Sequence, residues 1–138
     1  MPIVVDASVV VPWFVPEMHS QPARQLAGVN DLLFAPDFLL LEVASSLARR
    51  GVAGDVPKGF AGRVLRVLRR RQEINFEATE PLIVQAASLA EHLPHPICDC
   101  LYLALAQREG AMLATFDGRL GRHARSLSIP LWAANDPA

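Results

Sequence analysis

From Cys100 to Ala106 the chain reads Cys-Leu-Tyr-Leu-Ala-Leu-Ala, and a helix built from it is apolar nearly all round. Such a helix is central and buried. The segment Ile97 to Arg108 is read as that helix, with Gly110 as its stop. Around it, short apolar strands alternate with helices. Ile3 to Val5 is a β-branched strand ending at Asp6, and Ala7 to Val15 a short helix limited by Pro12 and Pro16. Ser20 and Pro22 open a helix to about Gly28, and Leu32 to Ala35 is the next strand. Pro36 opens a longer helix through about Arg50, closed by Gly51, and Asp55 and Pro57 start another that runs to about Arg71. Ile74 to Phe76 is a strand, Thr79-Glu80-Pro81 a helix start, and Ala111 to Thr115 a strand. Asp117 caps the helix that follows, and Ile129 to Ala133 is a final strand.

Strands alternating with helices imply a parallel sheet covered on both faces. The expected fold is therefore α/β, a three-layer α/β/α sandwich around a mostly parallel sheet. With 138 residues, one domain over 1–138 is expected, large enough to fold without disulfides or structural zinc. Cys98 and Cys100 form neither a redox motif nor a zinc half-site and read as small core residues in a reducing compartment. The apolar start carries Asp6 and lacks a basic leader, and no apolar run approaches the roughly 20 residues of a membrane span. A cytoplasmic protein with no membrane partner is expected.

The net charge of −1 excludes bulk-charge binding of polyanions. A nucleic-acid partner would have to be attracted by local patches or by a bound cation. The basic residues are almost all arginine, Lys58 being the single lysine.

In open parallel sheets, ligands bind beyond the carboxyl ends of the strands. Asp6 ends the first strand, and Asp117 follows a later one. Each acid also has an ordinary explanation. Asp6 and Asp117 suit helix caps. Glu42 falls at helical spacing with Ser45, Ser46 and Arg49, a pattern that suits a solvated stripe. Asp99 lies in the first turn of the apolar helix, where the dipole favours a negative group. Joined at one sheet edge, however, each close pair of carboxylates would cost about 4 kcal/mol at 4 Å with an effective dielectric near 20. Protonation or a basic partner can offset this, and a hard divalent cation does so best.

The same residues carry a resemblance. The chain resembles the PIN-domain ribonucleases, and within them the VapC toxins of toxin–antitoxin pairs. The likeness runs through Val4-Val5-Asp6-Ala7-Ser8, Glu42 to Arg49, Asp99 to Ala106, and Leu113-Ala114-Thr115-Phe116-Asp117. It implies a Mg2+- or Mn2+-dependent endoribonuclease held by Asp6, Glu42, Asp99 and Asp117, with Ser8 and Thr115 in support. It further implies cellular RNA as substrate, often tRNA, and products with 5′-phosphate and 3′-hydroxyl ends. Inhibition by a cognate antitoxin and a homodimer are also implied.

For RNA contacts, Arg63, Arg66 and Arg70 share one helix face and Arg119 and Arg122 another, with Arg119 nearest a proposed ligand. The alternative for these faces is simple solvation. Trp13 and Phe14 are read as core or antitoxin groove rather than as base-stacking groups. His92 and His95 show no zinc geometry, and no ligating role is expected of them. Two rival functions keep the fold class. An aspartyl-phosphate domain of receiver or haloacid-dehalogenase type also places an Asp beside Mg2+, but the second dehalogenase Asp would fall where Ser8 stands. A non-catalytic PIN-like binding module would not need the full acidic set.

Overall fold

The computed structural model describes residues 1–28 and 32–132. Four strands, β1 (Ile3–Val5), β2 (Leu33–Pro36), β3 (Ile74–Glu77) and β4 (Met112–Ala114), pair in parallel in the order β3-β2-β1-β4. The helices are α1 (Ala7–Phe14), α2 (Ser20–Ala27), α3 (Phe38–Ala53), α4 (Phe60–Arg70), α5 (Ile83–His92), α6 (Ile97–Glu109) and α7 (Gly118–Ser126). A 3-10 turn, Glu80–Leu82, leads into α5. The result is the expected α/β/α sandwich on a parallel sheet.

Helix α6 lies across β1, β2 and β4, with α5 packed on its outer side. Every residue from Cys100 to Ala106 is buried, which is why this segment tolerates no polar stripe. Burying one leucine of this kind contributes roughly 1.5–3 kcal/mol. A second group of helices is formed by α1 on α2 and α3, and by α3 on α4. Among the described residues, no helix is long and apolar enough to cross a membrane.

Several boundaries differ from the sequence reading. Pro12 does not limit α1 but sits buried inside it, at the loss of one backbone bond. The helix stops where Val15, forced out of helical geometry by Pro16, turns extended. Gly51 lies within α3. The stop is Gly54, which takes the left-handed conformation at φ 84° and lets Asp55 donate back to the Arg50 carbonyl at 2.9 Å. Helix α4 begins only after Gly59 (φ 82°), beyond Asp55 and Pro57. The last expected strand is reduced to one parallel bridge, Leu113 to Leu131, with Leu113 donating to Pro130 and accepting from Trp132. Ala133 lies outside the described residues.

The strand order places β1 between β2 and β4. The chain leaves β1 toward β2 and β3, then returns to β4 on the other side. The junction of β1 and β4 is therefore the topological switch point, where a crevice opens beyond the carboxyl ends of the strands.

Candidate active site

Val5 of β1 pairs with Ala114 of β4, so Asp6 and Thr115 continue the ladder side by side into that crevice. Asp6 is 5% exposed. It occupies the cap position of α1 with extended backbone, yet its side chain caps nothing. Its two oxygens are taken instead by hydroxyls. Ser8 donates to Oδ1 at 2.6 Å, and Thr115 donates to Oδ2. The backbone N–H of Phe116 in turn donates to Ser8 Oγ at 2.8 Å, and that of Asp117 to Thr115 Oγ1 at 3.0 Å. Ser8 and Thr115 thus brace a buried carboxylate between the two strand ends.

Glu42 comes from α3 and accepts a hydrogen bond from the buried Tyr102 hydroxyl of α6. Asp99 sits in the first turn of α6, and its Oδ2 lies 2.8 Å from His95 Nε2. Asp117 caps α7, its Oδ1 accepting from the N–H groups of Arg119 (2.9 Å) and Leu120 (3.2 Å). Ligand atoms of His95, Asp99 and Asp117 lie within 4.8 Å of one another. The four acids named from sequence therefore share one end of the sheet, although each reaches it from a different element.

Their electrostatics reflect that crowding. Burial pushes the Asp6 carboxyl from 3.8 up to about 7, the nearby charges of Glu42 and Asp99 add to the rise, and the Ser8 and Thr115 hydroxyls partly oppose it. Burial also raises Glu42, reinforced by Asp99 and opposed by the Tyr102 hydrogen bond. Tyr102 is held well above its usual value by burial and by Glu42. Burial lifts both Cys98 and Cys100, so neither is an activated thiol.

Oxygen donors of this kind, predominantly carboxylate and partly open to solvent, suit Mg2+ or Mn2+. The geometry also adds a nitrogen donor that sequence reasoning set aside. His95 has a side chain only 2% exposed, is tied to Asp99, and stacks edge-on against His123 with ring centroids 4.8 Å apart. Burial and the charges of His95, Arg119 and Arg122 lower His123. The signal for His95 was its spacing of four from Asp99, hidden because His95 lies before Pro96, the cap residue of α6, and so outside the helix that carries Asp99.

The arginines divide differently from the expectation. Arg66 and Arg70 line, with Arg69, a shallow depression on α4 that contains none of the acids. Arg119 is close to the cluster, but one of its guanidinium nitrogens holds the Pro94 carbonyl at 2.7 Å. Arg122 is exposed on α7. Arg49 and Arg50, on the face of α3 that carries Glu42 and Ser46, line the acidic cleft itself. Trp13 is core, its ring nitrogen donating to Ala23 at 2.6 Å, while the Arg71 guanidinium covers both Trp13 and Phe14.

The sequence profile of the PIN domain family matches residues 3–126. Ribonuclease VapC3 of Pyrobaculum aerophilum is 28% identical over 131 residues, covering 94% of this chain and all of that protein. In fold, the chain is similar to VapC20 of Mycobacterium tuberculosis, described as a toxin that cleaves the sarcin-ricin loop. That match has a TM-score of 0.72 at 20% identity, over 87% of this chain and 93% of the other.

Proposed function

The chain belongs to the PIN domain family, and from that premise we propose that it is a divalent-metal-dependent endoribonuclease of VapC type. The observation that carries the reading is the buried Asp6 carboxylate, braced by Ser8 and Thr115 beside Glu42, Asp99 and Asp117. The match to ribonuclease VapC3 along its full length supports it.

Asp6 and Asp99 would hold Mg2+ or Mn2+ most directly, with Asp117 and Glu42 completing the site. When bound, the ion supplies polarisation of a phosphodiester oxygen and a more acidic water. The protein's own part is orientation. Ser8 and Thr115 fix the direction of the Asp6 oxygens, Tyr102 fixes Glu42, and His95 fixes Asp99. Glu42 is half-buried and uses one oxygen to accept from Tyr102, and its other oxygen would orient an attacking water.

By kinship with VapC toxins, the substrate is cellular RNA, with tRNA the first candidate. The chain would then act in the cytoplasm as a homodimeric toxin neutralised by a cognate antitoxin. An aspartyl-phosphate role for Asp6 is disfavoured, because Ser8 stands where the second acid of a dehalogenase would fall and no lysine follows a later strand end as a receiver requires.

The deciding experiment is cleavage of total cellular RNA by the purified chain with Mg2+ or Mn2+ and then with excess chelator, followed by sequencing of the RNA ends. Cuts that need the metal are expected. Cleavage that survives complete metal removal overturns the proposal.

A further inference from the structure

The acidic end of the sheet opens into a cleft of about 350 Å³, lined by Ser8, Glu42 and Asp117 on one side. Its volume falls in the range of ligand clefts, roughly 300–1,000 Å³. Two features of this cleft are not explained by metal binding. The first is an aromatic pair. The rings of His19 and Phe116 are stacked 4.3 Å apart at an interplanar angle of 6°, and both residues line the cleft. Both rings are half-buried, Phe116 packing against the margin of the core. The second is Arg49, exposed on α3, whose guanidinium donates to Ser45 at 2.9 Å and forms no ion pair among the described residues.

The pair is rigidly placed. Phe116 follows Thr115 directly, and its backbone N–H is anchored on the same Ser8 hydroxyl that braces Asp6. His19 stands on a turn braced by the buried Ser20, which accepts from the Glu17 N–H at 2.8 Å and donates to the Val15 carbonyl at 3.1 Å. Arg50 secures that turn from outside through its 3.1 Å ion pair with Glu17. Arg50 is thereby occupied as a strut, and Arg49 is left as the cation available to a ligand.

A flat, rigid stack next to a free guanidinium and a cation-demanding acid cluster fits one ligand chemistry, a nucleotide with an unpaired base. Resting on the ribonuclease reading above, we propose that the His19–Phe116 pair is a nucleobase platform beside the cleavage site. Arg49 takes the adjoining phosphate. A base held in a duplex offers no free face to such a stack, so the platform selects single-stranded or looped RNA. Base identity is read weakly, because every base has a π-face.

The test measures equilibrium binding by fluorescence anisotropy, in Mg2+, of a labelled single-stranded 12-mer RNA of mixed sequence to the Asp6→Asn chain. Adding His19→Ala with Phe116→Leu is expected to weaken binding about ten- to a hundredfold, without changing the salt dependence. Arg49→Gln is expected to lower the slope of log affinity against log salt by roughly one. His19→Phe keeps the stack, so it should bind within about threefold of the parent and shows that losses elsewhere are not misfolding. Unchanged affinity in the stack-deleted variant overturns the platform while leaving the ribonuclease reading standing. A chain that neither binds this RNA nor cleaves cellular RNA overturns both.

Discussion

Tyr102, one turn beyond Asp99 on α6, donates its hydroxyl to Glu42 on α3. One buried helix thus carries an acid of the cluster and also orients another acid across the layer boundary. Tyr102→Phe removes that donor with little change of shape. Because this hydrogen bond lowers Glu42 against the effect of burial, its loss moves Glu42 further up. Partners that orient ligands typically matter about 10–100-fold in metal affinity. A loss of that size in Mn2+ affinity is expected by calorimetry at pH 7. An unaltered affinity would remove Tyr102 from the site.

Asp6 makes the metal-free protein less stable at alkaline pH. Its folded carboxyl stays protonated up to about 7, while the unfolded chain ionises it near 3.8. Across that interval the folded state holds the extra proton, so stability falls as pH rises and is level above it. The ceiling is about 4 kcal/mol at 1.36 kcal/mol per pH unit. Asp6→Asn removes the titration but keeps one acceptor, so it should be more stable than wild type by about 1–3 kcal/mol at pH 8. The gap should shrink toward pH 4. Urea midpoints of chelator-treated protein at several pH values provide the check, and a gap that does not move with pH would contradict it.

Asp117 has a capping role that is visible in the two backbone N–H groups donating to its Oδ1 and a proposed ligand role that is not. The two separate by substitution. Asn caps about as well as Asp, whereas Ala typically costs about 1 kcal/mol. Asp117→Asn is therefore expected to keep thermal stability and lose metal-dependent cleavage, while Asp117→Ala loses both. Full cleavage by the Asn variant would reduce Asp117 to a cap.

His95 is buried beside Asp99 at 2.8 Å, and its Nδ1 has no hydrogen-bond partner among the described residues. We expect His95→Ala to weaken Mn2+ binding by roughly 10–100-fold, the usual cost of losing a group that orients a ligand. His95→Asn, which can still donate to the carboxylate, should restore part of it. Equal affinity in wild type and His95→Ala would leave the ring a packing element.

Much of this was legible beforehand because it depends on short-range pattern. The all-round apolar stretch in α6 announces a buried helix, and Gly110 marks its end at φ 58°. Helix ends fared worse where several candidate stops crowd together. Gly51 and Gly54 look alike in sequence, and only the closing bond from Asp55 to Arg50 selects the second. Among the arginines, helical spacing placed Arg66 and Arg70 on one face of α4, where they line a depression together with Arg69, but spacing says nothing about which helix faces the acids.

By itself, the order of residues determined the layered parallel architecture and the positions of Asp6 and Asp117 at strand ends, since periodicity and strand termini are local properties of the chain. Only the tertiary structure decided which groups meet. The pairing of Tyr102 with Glu42, of Thr115 with Asp6 and of His19 with Phe116 joins residues from different elements. Such contacts depend on where packing sets whole helices against the sheet, and no local spacing encodes that distance.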